Sequence, residues 1–356
     1  MKAVFRVDAS IWIGSGHVMR CLVLANLLKT YHWQIQFACI KQQGALIELI
    51  TQQGFDVISL PASKAMRSPQ FDGDHAAWLI STPLEDAKAF IEQVQTTDWV
   101  IVDHYAIGSD WEWQIKTELK CQVLVIDDLN REHCSDIILD QNIWPDMHKR
   151  YIHFRGERLL GYQYALLQPS FNQLKSKPPS KENQILVFFG GTDPTNECEK
   201  LVKAAFELPK LPFKLKVLTG RQNNHYQALL PYQLINRIEL VPFVSNFAHE
   251  LAVSKYCIGA AGISNWERFC LGVPATVVCV ANNQLQLSHY LAKQGYIFFL
   301  GEGKNTDVKS YQQELLRLQG RWQSLHMFNG PNVDGLGAKR VAQRMINVGG
   351  EKKRKP

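Results

Sequence analysis

Short, nearly continuous apolar runs recur along this chain, and each stops abruptly at glycine or at polar and charged residues. In the first half they cover residues 4–7, 35–40, 56–60, 99–102 and 122–126. Helical patterning lies between them, at 45–53 and 84–94, and from His17 onward, where Val18, Cys21, Leu22, Ala25 and Leu28 recur at three- and four-residue spacing. Residues 61–83 between these elements are polar and loop-like. Strands that are apolar on both faces need cover on both faces, so the alternation predicts a parallel sheet wrapped by helices. After residue 183 the pattern restarts, with runs at 184–189, 213–218, 238–241, 256–258 and 276–280 and a helix at 198–208. Residues 173–183, polar, lysine-rich and broken by Pro178 and Pro179, are the expected linker. A chain of 356 residues accommodates two ordinary domains. The expected architecture is therefore α/β: two doubly wound, Rossmann-like domains, residues 1–172 and 184–334, with a substrate cleft between them. A C-terminal helix and basic tail follow at 335–356, the helix carrying Val341, Met345 and Ile346 on one side and placed to fold back across the joint.

Composition narrows the function. The net charge of +6 suits an anionic small substrate, whereas nucleic acid would need a dense basic stripe with interleaved aromatics. No run is apolar and long enough to cross a bilayer, and the N-terminus enters a strand through Arg6 and Asp8, without the plan of a signal peptide. The eight cysteines are scattered with no Cys-x-x-Cys pair, which reads as reduced core thiols rather than a zinc site. A cytoplasmic protein with no metal, no cofactor, no membrane contact and no obligate protein partner is expected, and the charge run at 351–356 is a solvated tail.

Three segments carry the chemistry. In Gly14-Ser15-Gly16-His17 the glycines permit a tight turn, and the free amides and dipole of the following helix start make a seat for an anion. His17 sits there as a group that titrates near neutral pH. Two readings stand: a base beside an anion seat, or a helix-start residue after a simple turn. A nicotinamide cofactor is not expected, because Met19 takes the place of the third fingerprint glycine and Lys41 follows the second strand where an acidic residue belongs. Asp103, His104 and Tyr105, and Asp127 with Asp128, lie at strand ends where parallel sheets bind ligands. The first three either face a sugar or satisfy one another. In the second half, the small residues 259–262 lead through Ile263 to Ser264 and Glu267. Ser264 and Glu267 form either a capping box or part of a nucleotide site, in which Gly262 and the helix amides meet a diphosphate and Glu267 accepts ribose hydroxyls. Asn283 and Gln284 offer neutral donors and acceptors suited to an amide-bearing sugar, and Gly190-Gly191-Thr192-Asp193 is a glycine-bearing loop facing the same cleft.

Segments 5–10, 13–20, 102–105, 127–128, 190–193, 264–267 and 283–284, kept in order from about residue 5 to residue 300, give the chain a specific resemblance. It resembles the UDP-2,4-diacetamido-2,4,6-trideoxy-β-L-altropyranose hydrolase family of pseudaminic acid biosynthesis, related to the GT-B, MurG-like glycosyltransferases. One departure is Gly262-Ile263-Ser264-Asn265-Trp266-Glu267, where the family is richer in serine; the last fifty or so residues are the least covered. The resemblance implies a GT-B-like fold and a metal-independent, inverting nucleotide-sugar hydrolase with His17 as general base and a UDP-sugar as its partner. Arg6, Asp103, His104, Tyr105, the 190–193 loop, Gly262, Ile263, Ser264, Glu267, Asn283 and Gln284 join Gly14, Ser15 and Gly16 as substrate-binding candidates. The competing expectations are a transferase that hands the sugar to an acceptor alcohol, and a nucleotide-sugar binding protein without turnover.

Overall fold

The computed structural model describes residues 1–71, 73–220, 223, 225–234, 237–325, 328 and 330–352; the basic tail at 353–356 lies outside them. The chain gathers into two compact units, one formed by Met1–Leu167 with the segment from Gly335 onward, the other by Gln168–Asp334.

The first unit runs β1 (Lys2–Val7), α1 (Gly16–Thr30), β2 (Gln34–Ile40), α2 (Ile47–Gln52), β3 (Asp56–Leu60), α3 (Pro83–Val94), β4 (Trp99–Asp103), α4 (Ser109–Leu119), β5 (Gln122–Ile126), β6 (Ile137–Asp140) and β7 (Glu157–Leu160). The strands form one sheet in the order β3-β2-β1-β4-β5-β6-β7, with every pairing parallel. On one face the apolar stripe of α1 packs on Phe5, Phe37 and Ile101. On the other face Phe90 of α3 and Trp111 and Ile115 of α4 pack on Val4, Val100 and Val102. Register aligns Val7 of β1 with Asp103 of β4, so the glycine turn after β1 and the acidic end of β4 emerge at the same sheet edge.

The second unit continues with α5 (Pro169–Ser176), β8 (Glu182–Phe188), α6 (Glu197–Glu207), β9 (Lys214–Leu218), α7 (Tyr226–Leu229), β10 (Ile238–Val241), α8 (Phe247–Val253), β11 (Ser254–Ala260), α9 (Ile263–Leu271), β12 (Ala275–Cys279), α10 (Leu285–Lys293), β13 (Phe298–Glu302) and α11 (Val308–Arg321). Its parallel sheet has the order β10-β9-β8-β11-β12-β13, and α6 and α11 close one face through Leu201, Tyr311, Leu315 and Leu318. The final helix, α12 (Gly337–Lys352), belongs to the first unit, where Val341, Ala342 and Met345 are buried in the core beside α1.

The expected linker at 173–183 is shorter in the structure: residues 173–176 finish α5 and β8 opens at Glu182, which leaves 177–181, with both prolines, without helix or strand. Pro169 starts α5, its fixed φ suiting the first helical position, and Phe171 is buried, while Glu182 opens β8. Arg6, a substrate-binding candidate, is a core residue instead. Strand alternation turns its side chain into the unit, where it is fully buried. The guanidinium pairs with Asp8 at 2.9 Å, binds both carboxylate oxygens of Asp86 at 3.1 and 2.6 Å and donates to the Ala38 carbonyl. Trp111 donates to Asp86 as well. Removing the cation strands two buried carboxylates, so Arg6→Leu is expected to cost about 3–5 kcal/mol of unfolding free energy in urea titration. A loss below about 1 kcal/mol would show that water, not Arg6, solvates Asp86.

Candidate active site

The loop after β1 is built on Ser10, whose carbonyl accepts from Gly14 N at 2.8 Å and whose hydroxyl accepts from Trp12 N and Ile13 N, both at 3.2 Å. Gly14 takes a φ of +75°, a conformation that glycine adopts without strain, and this turns the chain into α1. No side chain caps α1 and its first turn holds no acidic residue, so its amides and positive dipole end stay open. His17 stands in that first turn, 8% exposed.

Its Nδ1 lies 2.6 Å from Asp103 Oδ1. Arg20, one turn further along α1, grips the same carboxylate with Nε and Nη2, each at 2.6 Å. Burial raises the Asp103 pKa, but the Arg20 charge and the hydrogen bonds from Arg20 and His17 overcome this and hold it below the usual carboxylate range. An ionised Asp103 accepts a hydrogen bond from His17 Nδ1–H, which assigns the tautomer of the neutral ring and leaves a lone pair on Nε2. Nε2 has no hydrogen-bond partner among the described residues. The His17 ring stands edge-on to Tyr105 at 4.9 Å and to Trp78 at 5.8 Å between centroids. The Tyr105 hydroxyl donates to Asp128 at 2.6 Å, and Asp128 also accepts from Asn142.

Of the two readings for residues 103–105, Asp103 serves His17 directly and Tyr105 packs on its ring. His104 turns inward instead. Its Nδ1 accepts from Ala106 N and its Nε2 points toward Asp8 at 3.5 Å, while burial lowers its pKa and keeps it neutral. At 2% exposure it offers nothing to a ligand.

In the second unit, Gly262 caps α9 in a left-handed conformation at φ +93°, again without a side-chain cap or a first-turn acid. The capping box is therefore absent. Ser264 sits inside the helix and its hydroxyl donates to Glu267, a half-buried carboxyl whose pKa burial pushes up to about 7. Ile263 is half-buried at the helix start. Gln284 lies against this turn, its Nε2 at 3.5 Å from where a Cβ on Gly262 would stand, and Asn283 is its half-buried neighbour. Gly190, Gly191 and Thr192 are half-buried at the end of β8. Asp193 is fully buried and accepts from Glu197 N and Cys198 N at 2.8 and 2.9 Å, so it caps α6 rather than facing a ligand. Among the described residues no group of three His, Cys, Asp or Glu side chains is arranged to hold a metal ion, and no helix is long and apolar enough to cross a membrane.

No protein-family model matches the chain. It is similar to the UDP-2,4-diacetamido-2,4,6-trideoxy-β-L-altropyranose hydrolase of Campylobacter jejuni, 29% identical over 300 residues that span 83% of this chain and 98% of that protein. It is also similar to the spore coat polysaccharide biosynthesis protein SpsG of Bacillus subtilis, 24% identical over 345 residues, 92% of this chain and 93% of that one. The structure superposes on Acinetobacter baumannii MurG with a TM-score of 0.62 at 16% identity, covering 97% of this chain and 99% of that one. The resemblance read from the motifs holds. The fold is GT-B, two Rossmann-like units of parallel strands.

Three contributors fall outside the sequence candidates: Arg20, His75 and Trp78. Arg20 carried a legible signal, since it lies three residues after His17 on the same helix face. His75 and Trp78 come from the polar stretch after β3 and had none.

Behind Tyr105, a buried set of charged groups holds its backbone in place. Arg131 donates to the carbonyls of Tyr105 and Ile107, both at 2.7 Å, and to Asp127 at 2.7 Å. His133 is sandwiched between Glu112 at 2.7 Å and Asp127 at 3.5 Å, with all three side chains fully buried. Burial alone would lower its pKa, but hydrogen bonds and charges from Asp127 and Glu112 raise it to about 9. A cation stabilised in this way contributes fully below the unfolded pKa of about 6.5 and loses that contribution as pH rises through about 9. The unfolding free energy of the wild type minus that of His133→Gln is therefore expected to fall by an amount on the order of 3 kcal/mol between pH 6.5 and 10. A pH-independent difference would mean that His133 is neutral in the fold.

Proposed function

We propose that the protein hydrolyses UDP-2,4-diacetamido-2,4,6-trideoxy-β-L-altropyranose to UDP and 2,4-diacetamido-2,4,6-trideoxy-L-altrose. The carrying observation is the His17–Asp103–Arg20 arrangement, in which one ring nitrogen is locked and the other is free. In this reading Nε2 removes a proton from a water molecule as its oxygen bonds to the anomeric carbon. The bond from that carbon to the diphosphate oxygen breaks, its electron pair leaves with UDP, and the configuration at the carbon inverts. A carboxylate held ionised beside Nδ1 stabilises the imidazolium that forms. The uncapped, acid-free start of α9 is the seat we assign to the diphosphate, with Glu267 on the ribose. Gly14, Ser15 and Gly16 bring the uncapped start of α1 beside the base. The chemistry of the Campylobacter jejuni relative and the length over which it matches support the same substrate.

His17→Ala is expected to lower kcat by about 10²–10⁴-fold, the usual contribution of a positioned base, while calorimetric affinity for the UDP-sugar stays within about twofold. A parallel loss of affinity would make His17 a structural residue, and UDP release that waits for an added alcohol would make the protein a transferase.

A further inference from the structure

The polar stretch after β3 is tied down more firmly than its composition suggests. Asp74 is 7% exposed and accepts from both Arg67 Nη atoms, at 2.6 and 3.1 Å, and from Gln70 N. Ser63 N and Lys64 N both donate to the Ile80 carbonyl, while Leu79 and Ile80 enter the core under α3. Gln42, from the loop after β2, donates to the Trp78 carbonyl at 3.0 Å. These ties seat a single 3-10 turn, His75–Trp78, against the His17 site.

The turn completes a group of four rings. The Trp78 indole stacks on the Tyr105 phenol at 5.4 Å and 28°. His75 meets Trp78 at 4.7 Å and Tyr105 at 4.9 Å, and His17 stands edge-on to both Trp78 and Tyr105. Tyr105 is immobilised by Asp128 on its hydroxyl and Arg131 on its carbonyl, so the wall is rigid. Packing alone would bring rings together, but it would seal them. His75 and Trp78 are instead only half-buried, and neither His75 ring nitrogen has a hydrogen-bond partner among the described residues. Burial, followed by the nearby Arg131 and His17, lowers the His75 pKa, so its imidazole is neutral and offers one donor and one acceptor.

An aromatic face with a neutral donor–acceptor at its edge suits a methyl joined to an amide better than a hydroxyl. The rings cover the methyl, and the imidazole answers the amide N–H or C=O. We propose that His75 and Trp78 form the pocket for an N-acyl substituent of the sugar and set the enzyme's preference for acylated over free amino sugars. The assignment rests on the UDP-sugar hydrolase reading above and adds a specificity-determining pair to it.

Two readouts test it separately from that reading. In saturation-transfer NMR with UDP-2,4-diacetamido-2,4,6-trideoxy-β-L-altropyranose and His17→Ala protein, the acetamido methyl signals are expected to be strongly saturated. Adding Trp78→Ala should at least halve that saturation relative to the uracil protons. In turnover, the wild type should prefer the diacetamido substrate over an analogue bearing one free amine by at least about tenfold in kcat/KM, the usual worth of one small apolar group. Trp78→Ala should bring the ratio to within about threefold, and Trp78→Phe, which keeps a ring, should restore most of it. His75→Ala, a change in a half-buried turn, repeats the test should Trp78→Ala fail to fold. Unchanged methyl saturation with an unchanged kcat/KM ratio overturns the pocket while leaving hydrolysis standing. Methyl saturation that depends on Trp78 in a protein releasing no UDP keeps the pocket and overturns hydrolysis. Absence of methyl saturation in the His17→Ala protein overturns the pocket.

Discussion

One carboxylate organises the first unit's site. Asp103 ends β4 and is shared between His17 and Arg20, at 2.6 Å from each. Each partner answers a different problem. Arg20 supplies the fixed charge that keeps a buried carboxylate ionised against its desolvation, and the ionised carboxylate then fixes the tautomer of His17. Without Arg20, burial would favour the protonated acid, and Asp103 could no longer accept the Nδ1–H hydrogen bond as a charged partner. The sheet makes the encounter possible, because β1 and β4 are neighbours in register and both end at the same edge. The His17 ring is thus positioned by a strand end, a helix start and a neighbouring turn of that helix.

The surrounding charges follow the same logic at greater depth. Arg6 with Asp8 and Asp86, and His133 with Glu112 and Asp127, are buried groups that are each matched by opposite charge. Such sets rarely add net stability over a well-packed apolar core, but breaking one leaves a buried charge alone, so they specify one arrangement strongly. Here the arrangement specified is the floor beneath Tyr105 and the strand ends around His17. In the second unit Arg268 works through neutral acceptors: it donates to the Ala260 carbonyl and to Asn265 and so joins the end of β11 to the start of α9.

Much of this was legible in the sequence because the relevant physics is local. Continuous apolar runs located strands such as β3 and β10 to the residue, and helical spacing found the buried face of α1. The glycine turns were found because only a chain reversal or a close approach explains Gly14 and Gly262. What escaped depends on partners far along the chain. β6 and β7, four residues each, are too short to show a period. The 3-10 turn at residues 75–78 is held by Asp74, Arg67 and Gln42 rather than by its own pattern. Membership of a motif also says nothing about direction: Arg6, His104 and Asp193 sit in the matched segments yet point into the fold. Asp103 lies in the same kind of segment, yet its carboxylate meets His17 Nδ1.

The bond that breaks decides whether His17 acts on water at the anomeric carbon. Turnover of UDP-2,4-diacetamido-2,4,6-trideoxy-β-L-altropyranose in water enriched in oxygen-18, with mass spectrometry of both products, reads this directly. Attack at the anomeric carbon by a water activated at His17 predicts heavy oxygen in the free sugar and none in UDP. Heavy oxygen in UDP would place the attack at phosphorus and contradict the role given to His17.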